Sequence, residues 1–158
     1  MKRIEKVSNN PEETFQMGKE LALKINSPVL IGLSGELGSG KTVFAKGFAS
    51  GLEVKELITS PTFLGISESF SGRLPFIHMD FYKKVVTKDM IQFYMDKKSV
   101  VLIEWFENFV DVFKEELDLD MRMYIQYLKD TGGNIIDNMR QIQIEFPANG
   151  KAFNQQIF

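Results

Sequence analysis

One octapeptide constrains this chain more than any other: Gly35-Glu36-Leu37-Gly38-Ser39-Gly40-Lys41-Thr42 reads G-x-x-x-x-G-K-T, a phosphate-binding loop. An apolar run, Val29-Leu30-Ile31-Gly32-Leu33, precedes it, and a helix-compatible run, Val43-Phe44-Ala45-Lys46-Gly47-Phe48, follows it. Strand, glycine loop and helix in that order are the context in which the motif carries a mechanism. Backbone N–H groups of residues 37–42 would converge on one concavity and hold phosphate oxygens, reinforced by the positive end of the new helix. Lys41 would reach the outer phosphates, and the Thr42 hydroxyl would ligate Mg²⁺. Leu37, Gly38, Ser39, Gly40, Lys41 and Thr42 are therefore the candidate nucleotide-binding residues, and the expected fold class is α/β: a P-loop three-layer sandwich, helices on both faces of a mixed sheet with a parallel core.

Length and charge narrow the partners. A chain of 158 residues fits one domain, spanning residues 1–158. A formal net charge of −2 argues against a general electrostatic grip on nucleic acid, while leaving room for a local basic patch. There is no cysteine, which removes disulfide and thiol chemistry. The basic start, Met1-Lys2-Arg3, leads into no long apolar segment, so it does not read as a secretory signal. No stretch approaches the roughly 20 apolar residues of a membrane span. The expectation is a soluble, cytoplasmic protein.

The chain can be segmented by pattern. Residues 4–8 suit a short edge strand. Asn10-Pro11-Glu12-Glu13 then starts a helix, with Asn as N-cap, Pro at the first helical position and acids in the first turn. Phe15, Gly18, Leu21, Ala22 and Ile25 fall on one face of it. After the loop helix, about 41–51, residues 62–70 and 74–80 read as two strands turning at Ser71-Gly72. Residues 87–98 suit a helix, and Val100-Val101-Leu102-Ile103 suits a strand buried on both faces. Residues 121–129 and 141–146 read as a hairpin around the loop 130–134, and 148–158 as a loose tail.

A phosphate loop that turns over its nucleotide needs acids. Two acids end apolar strands: Asp80 after Phe76-Ile77-His78-Met79, and Glu104 after the run at 100–103. Strand ends of an open α/β sheet are where such folds bind ligands. Mg²⁺ takes one or two carboxylates besides phosphate oxygens and water. The wholly apolar strand favours Glu104 on the metal, with Asp80 as partner to a metal-bound water or as the group that positions the attacking water; the sequence leaves both assignments open. Lys41, Asp80 and Glu104 are the candidate catalytic residues. Thr59, Ser60 and Thr62, a hydroxyl-rich segment around Pro61, form a candidate switch. Trp105, the single tryptophan, could shield the site or face a partner, but on composition alone it reads as a core residue. His78 is better suited to packing or hydrogen bonding than to catalysis. Arg73 and Arg140 are candidate phosphate or RNA contacts.

These segments, taken in order, resemble the TsaE (YjeE) family, small P-loop ATPases of the bacterial machinery that makes threonylcarbamoyladenosine on tRNA. Residues 33–42 are similar to the family's L-x-G-[DE]-L-G-[AS]-G-K-T, and Thr59-Ser60-Pro61-Thr62-Phe63 to its T-S-P-T-[FY]. His78-Met79-Asp80-Phe81-Tyr82 is similar to H-x-D-L-Y-R, Ile103-Glu104-Trp105 to [IV]-E-W, and Thr14 to Gly18 to T-x-x-[LM]-G. The resemblance implies ATP on the loop, Mg²⁺ on Thr42 and Glu104, an Asp80 needed for activity, and adenine near Pro11 and the 131–140 region. It implies as partners a threonylcarbamoyl-transferase subunit and its dimerising companion, with tRNA contacted indirectly or at a local patch. Lys83 stands where the family has Arg, Phe106 where it commonly has Pro, and the match weakens beyond residue 106.

The leading expectation is thus an ATP-hydrolysing subunit of a tRNA-modifying complex. The alternative is a small P-loop metabolite kinase, which would want an arginine-rich lid; residues 83–98 contain lysines but no arginine. A GTPase would want N-K-x-D, which the chain lacks. A non-catalytic nucleotide-binding adaptor would not need both acids.

Overall fold

Among the described residues the apolar runs become the centre of one seven-stranded sheet. The computed structural model describes residues 1–59, 65–82 and 85–148. In chain order the elements are β1 (Lys2–Ser8), α1 (Pro11–Leu23), β2 (Val29–Ser34), α2 (Lys41–Gly51), β3 (Ile66–Ser69), β4 (Phe76–Asp80), α3 (Lys88–Asp96), β5 (Val100–Glu104), α4 (Glu107–Phe113), β6 (Met121–Lys129) and β7 (Ile135–Phe146). The strand order is β1-β7-β6-β2-β5-β4-β3. Strands β4, β5, β2 and β6 run parallel, while β7, β1 and β3 add antiparallel edges. This is the mixed P-loop sandwich that the octapeptide and strand pattern predict.

Each central strand is buried on both sides, and alternation divides its side chains between two apolar clusters. Ile31, Leu33, Phe76, Val100 and Leu102 pack with Phe44 and Phe48 of α2 and Leu21 and Ala22 of α1. Leu30, Ile77, Met79, Val101 and Ile103 pack on the other face with Ile91 and Tyr94 of α3 and Phe109 of α4. On the first face the two helices approach backbone to backbone. A Cβ built on Gly47 would lie 1.9 Å from the Phe15 carbonyl oxygen, and one on Gly18 would lie 2.4 Å from that of Phe44. Any side chain at either position would push α1 off α2.

The local start signal of α1 holds: the Asn10 side chain accepts from the Glu13 N–H, and Pro11 opens the helix. One expectation changes, and one helix is added. Strand β7 begins at Ile135 rather than 141, because residues 135–140 extend the hairpin as a ribbon pairing Lys129 with Ile135. Those residues lack alternation, so they carry no strand signal. Helix α4, for which the sequence set no expectation, has one acid, Glu107, in its first turn, but its N-cap, Phe106, makes no side-chain capping bond. Residues 62–64 of the expected strand, and 149–158 of the expected tail, lie outside the described residues, where β3 itself begins at Ile66. Among the described residues no helix is long and apolar enough to cross a membrane.

Candidate functional site

Strand β2 ends at Ser34, and the loop turns into α2 at Lys41. The turn depends on glycine: Gly40, the N-cap, has φ +108° and Gly38 φ +78°, a region that side chains strongly disfavour. The Lys41 ammonium, 7% exposed, donates to the carbonyl of Gly35 and, at 3.1 Å, to that of Glu36. Burial pushes it below its usual pKa, opposed by the charges of Glu104, Asp80 and Glu107. It lies 4.7 Å from the centroid of the Trp105 ring.

Each acid ends its strand, and the sheet register brings the two side by side. Strands β4 and β5 are parallel neighbours with Asp80 opposite Glu104, so both carboxyls leave the sheet on the face covered by α2. Both are buried, at 5% and 3% exposure. Asp80 Oδ1 accepts from the Tyr82 N–H at 2.9 Å. His78 Nε2 lies 3.1 Å from Glu104 Oε2, and its Nδ1 has no partner among the described residues. The lone histidine therefore holds the acid in place, as its position within the strand suggests.

Immediately beyond Glu104 the backbone folds over. Trp105 has φ +58°, and its N–H donates to the Leu33 carbonyl at 3.0 Å. A non-glycine residue in this region is strained by about 1–2 kcal/mol, and such strain concentrates at functional positions. The turn sends the half-buried indole back over Lys41 and against Tyr82, ring centroids 5.4 Å apart. Trp105 thus lines the site while packing against the second apolar cluster.

Together these residues wall a cleft of about 380 Å³ lined by Leu37, Gly38, Gly40, Lys41, Thr42, Val43, Asp80, Tyr82, Glu104 and Trp105. A smaller cavity of about 180 Å³ opens on the other side of the loop. There Pro11 and Thr14 of α1 face Asn138 and Arg140 of β7 across Gly38, Ser39 and Gly40. Pro11 and the 131–140 region, far apart in sequence, do converge on the loop. Ser39 Oγ is buried without a hydrogen-bond partner.

Other sequence candidates fall elsewhere. Arg73 donates to the carbonyls of Ala22, Ile25 and Gly51 at 3.0–3.2 Å, so it ties helix ends rather than binding phosphate. Thr59 is exposed, while Ser60 and Thr62 lie outside the described residues, as does Lys83. Glu107 and Tyr127 carry no motif, yet the fold brings them to the loop. The Ser34 hydroxyl donates to Glu107 Oε1 at 2.7 Å, and the Tyr127 hydroxyl donates to the Leu37 carbonyl at 3.0 Å. Among the described residues no group of three or more metal-ligating side chains occurs. A pair of carboxyls facing a loop threonine suits Mg²⁺, which draws its remaining ligands from phosphates and water.

Comparison with known proteins agrees with this geometry. The family model for the threonylcarbamoyl adenosine biosynthesis protein TsaE matches residues 8–134, from the end of β1 to the tip of the β6–β7 hairpin. The tRNA threonylcarbamoyladenosine biosynthesis protein TsaE of Bacillus subtilis (strain 168) is 39% identical over 107 residues, covering 66% of this chain and 68% of that one. The protein of the same name from Treponema pallidum (strain Nichols) is 34% identical over 106 residues, covering 65% of this chain and 78% of that one. Its namesake in Nostoc sp. is 35% identical over 104 residues, covering 61% and 64%. The crystal structure of YdiB from Bacillus subtilis superposes with a TM-score of 0.73 at 28% identity, covering 94% of this chain and 88% of that one. With the family model matched over residues 8–134 and relatives 34–39% identical over about two thirds of the chain, the chain belongs to the TsaE family.

Proposed function

We propose that the protein binds and hydrolyses ATP with Mg²⁺, and that this turnover serves threonylcarbamoyladenosine modification of tRNA by acting on the threonylcarbamoyl-transferase subunit and its dimerising companion. The observation that carries the reading is the buried Asp80–Glu104 pair, level on adjacent strands and facing Lys41 and Thr42 across one cleft. A binding module would need the loop alone; two buried carboxyls beside it suit turnover.

The residues divide the work. N–H groups of the loop and the Lys41 ammonium would hold the phosphates. The Thr42 hydroxyl and Glu104 would hold Mg²⁺, whose chemistry is to neutralise charge on the phosphate oxygens. His78 fixes the rotamer of Glu104 through its 3.1 Å contact. Asp80 is placed to accept a proton from, or orient, the attacking water. Trp105 and Tyr82 cover the cleft and limit water access. Pro11 and Asn138 border the smaller cavity, which suits the adenine.

Phosphate release from ATP by the purified protein, with and without Mg²⁺, tests the chemistry. Capture of partners on the immobilised protein with ATP, ADP or no nucleotide tests the assignment. Recovery of the transferase subunit only with nucleotide is the expected result. Phosphorylation of a metabolite without a protein partner would overturn it.

A further inference from the structure

The phosphate loop is held from behind by side chains that no sequence motif marks. The Tyr127 hydroxyl donates to the Leu37 carbonyl at 3.0 Å. Arg140 Nε donates to the Ser39 carbonyl at 2.8 Å, and Nη2 lies 3.4 Å from the Gly38 carbonyl. Three consecutive loop carbonyls are thus turned toward the β6–β7 hairpin. A trans peptide sets C=O and the next N–H on opposite sides of its plane. Fixing the carbonyls of residues 37–39 therefore turns the N–H groups of Gly38, Ser39 and Gly40 away from the hairpin. The Ser39 N–H closes a turn on the Glu36 carbonyl at 3.0 Å, within the same loop.

The hairpin is built to deliver these two side chains. Tyr127 and Arg140 are direct partners across β6 and β7. The guanidinium lies 4.5 Å from the Tyr127 ring centroid, a cation–π contact that stiffens both. The strand register shifts between Tyr127 and Lys129, and Asn138, two residues before Arg140, has φ +62°. Bulges beside functional sites re-aim side chains in this way. Arg140 Nη1 also donates to the Met139 carbonyl at 2.9 Å, so the guanidinium is occupied with backbone oxygens rather than turned toward the phosphate side.

We propose that Tyr127 and Arg140 are positioning residues that preform the phosphate cradle by holding the loop carbonyls outward. The proposal rests on the phosphate-binding reading given above and adds a cause for the loop's shape. A glycine-rich loop left to itself samples many conformations, and binding would have to select one. With the clamp in place the loop is ordered before the ligand arrives.

The test uses the full chain and three variants: Tyr127→Phe, Arg140→Lys and Arg140→Gln. Tyr127→Phe removes a single donor and keeps the ring under the guanidinium. Two probes are titrated calorimetrically with Mg²⁺ present: a non-hydrolysable ATP analogue and inorganic tripolyphosphate, which has no base. Hydrogen exchange of the peptide covering residues 35–41 is followed in the ligand-free protein. The expected result is that Tyr127→Phe weakens both probes by the same factor, about three- to tenfold. Arg140→Gln should weaken both by more, with Arg140→Lys partly restoring affinity. Exchange in the loop peptide should quicken by comparable factors, with the remainder of the chain unchanged. Weakening of the analogue alone would place Arg140 on the base and overturn the proposal, as would unchanged binding and exchange. If the parent bound neither probe, the nucleotide reading would fail separately, and exchange would still decide the clamp: faster loop exchange upholds it, equal exchange overturns it.

Discussion

Replacing Gly47 by alanine sets two forces of opposite sign against each other. In an exposed helix the change stabilises by about 1 kcal/mol, because alanine is the better helix former. Here the new Cβ would lie 1.9 Å from the Phe15 carbonyl oxygen, where ordinary contact begins at 3.4 Å, so α1 must retreat by about 1.5 Å (3.4 − 1.9). A gap of that order forfeits a quarter to a half of the contact energy along its lining. Leu21, Ile25, Phe44 and Phe48 line this part of the core, all fully buried. At about 2 kcal/mol each, the loss is about 2–4 kcal/mol. Subtracting the helix gain leaves a net destabilisation of about 2 kcal/mol, a fall in Tm of about 4–8 °C for a chain of this size. Scanning calorimetry of Gly47→Ala reads it, with the exposed neighbour variant Lys46→Ala as background. Because α1 carries Pro11 and Thr14 to the smaller cavity, affinity for the ATP analogue should fall as well. A Tm equal to or above the parent would refute the claim that the two helices touch backbone to backbone.

Other outcomes follow from the site. Lys41→Ala should lower affinity for the ATP analogue at least a hundredfold by calorimetry, since it removes the phosphate-facing charge. Asp80→Asn and Glu104→Gln should each keep most of the binding yet slow phosphate release by about a hundredfold or more; parent-like turnover in both would refute the assignment. Trp105→Gly should melt higher than Trp105→Ala, by about 1 kcal/mol in stability, because only glycine is at ease at φ +58°. Burial, together with its hydrogen bond to Glu68, pushes the Tyr94 phenol up to about 12 from 10.0. Its neutral form belongs to the folded state, so the stability it contributes is complete below pH 10.0 and is lost as pH rises through about 12. Ultraviolet titration should show a late phenolate step that Tyr94→Phe abolishes.

Much of the architecture could be read from local chemistry. Asn10-Pro11 announces a helix because capping is local, and the runs at 29–33 and 100–103 announce buried strands because both faces demand apolar side chains. Asp80 and Glu104 could be located because each terminates such a run. Pairing them at one level is a property of register, which no single strand contains. What stayed illegible depends on tertiary placement. Helix α4 follows a left-handed tryptophan and has no capping side chain, so it starts where the fold turns the chain rather than where residues ask for it. The extension of β7 to Ile135, Ile135-Ile136-Asp137-Asn138-Met139-Arg140, is exposed or half-buried and does not alternate, hence without period. Tyr127 and Arg73 show the same limit from two sides. One tyrosine in a strand meets the loop only because β6 lies beside the strand that leads into it, and a promising arginine is consumed by helix ends.

The pairing of β6 and β7 with the older half of the chain also imposes an order in time. Ser39 and the arginine that grips its carbonyl stand 101 positions apart in sequence. At synthesis rates of about 5–20 residues per second, the loop emerges roughly 5–20 s before the hairpin that shapes it. Strand β1 waits still longer, since its partners lie in β7: Lys2 pairs with Phe146. An emerging chain that has made β2 and α2 therefore holds the full octapeptide but not its clamp. On the proposed reading, competence to grip a nucleotide would arrive with the last strand of the sheet, and a truncated chain would be a poor competitor for ATP however complete its motif.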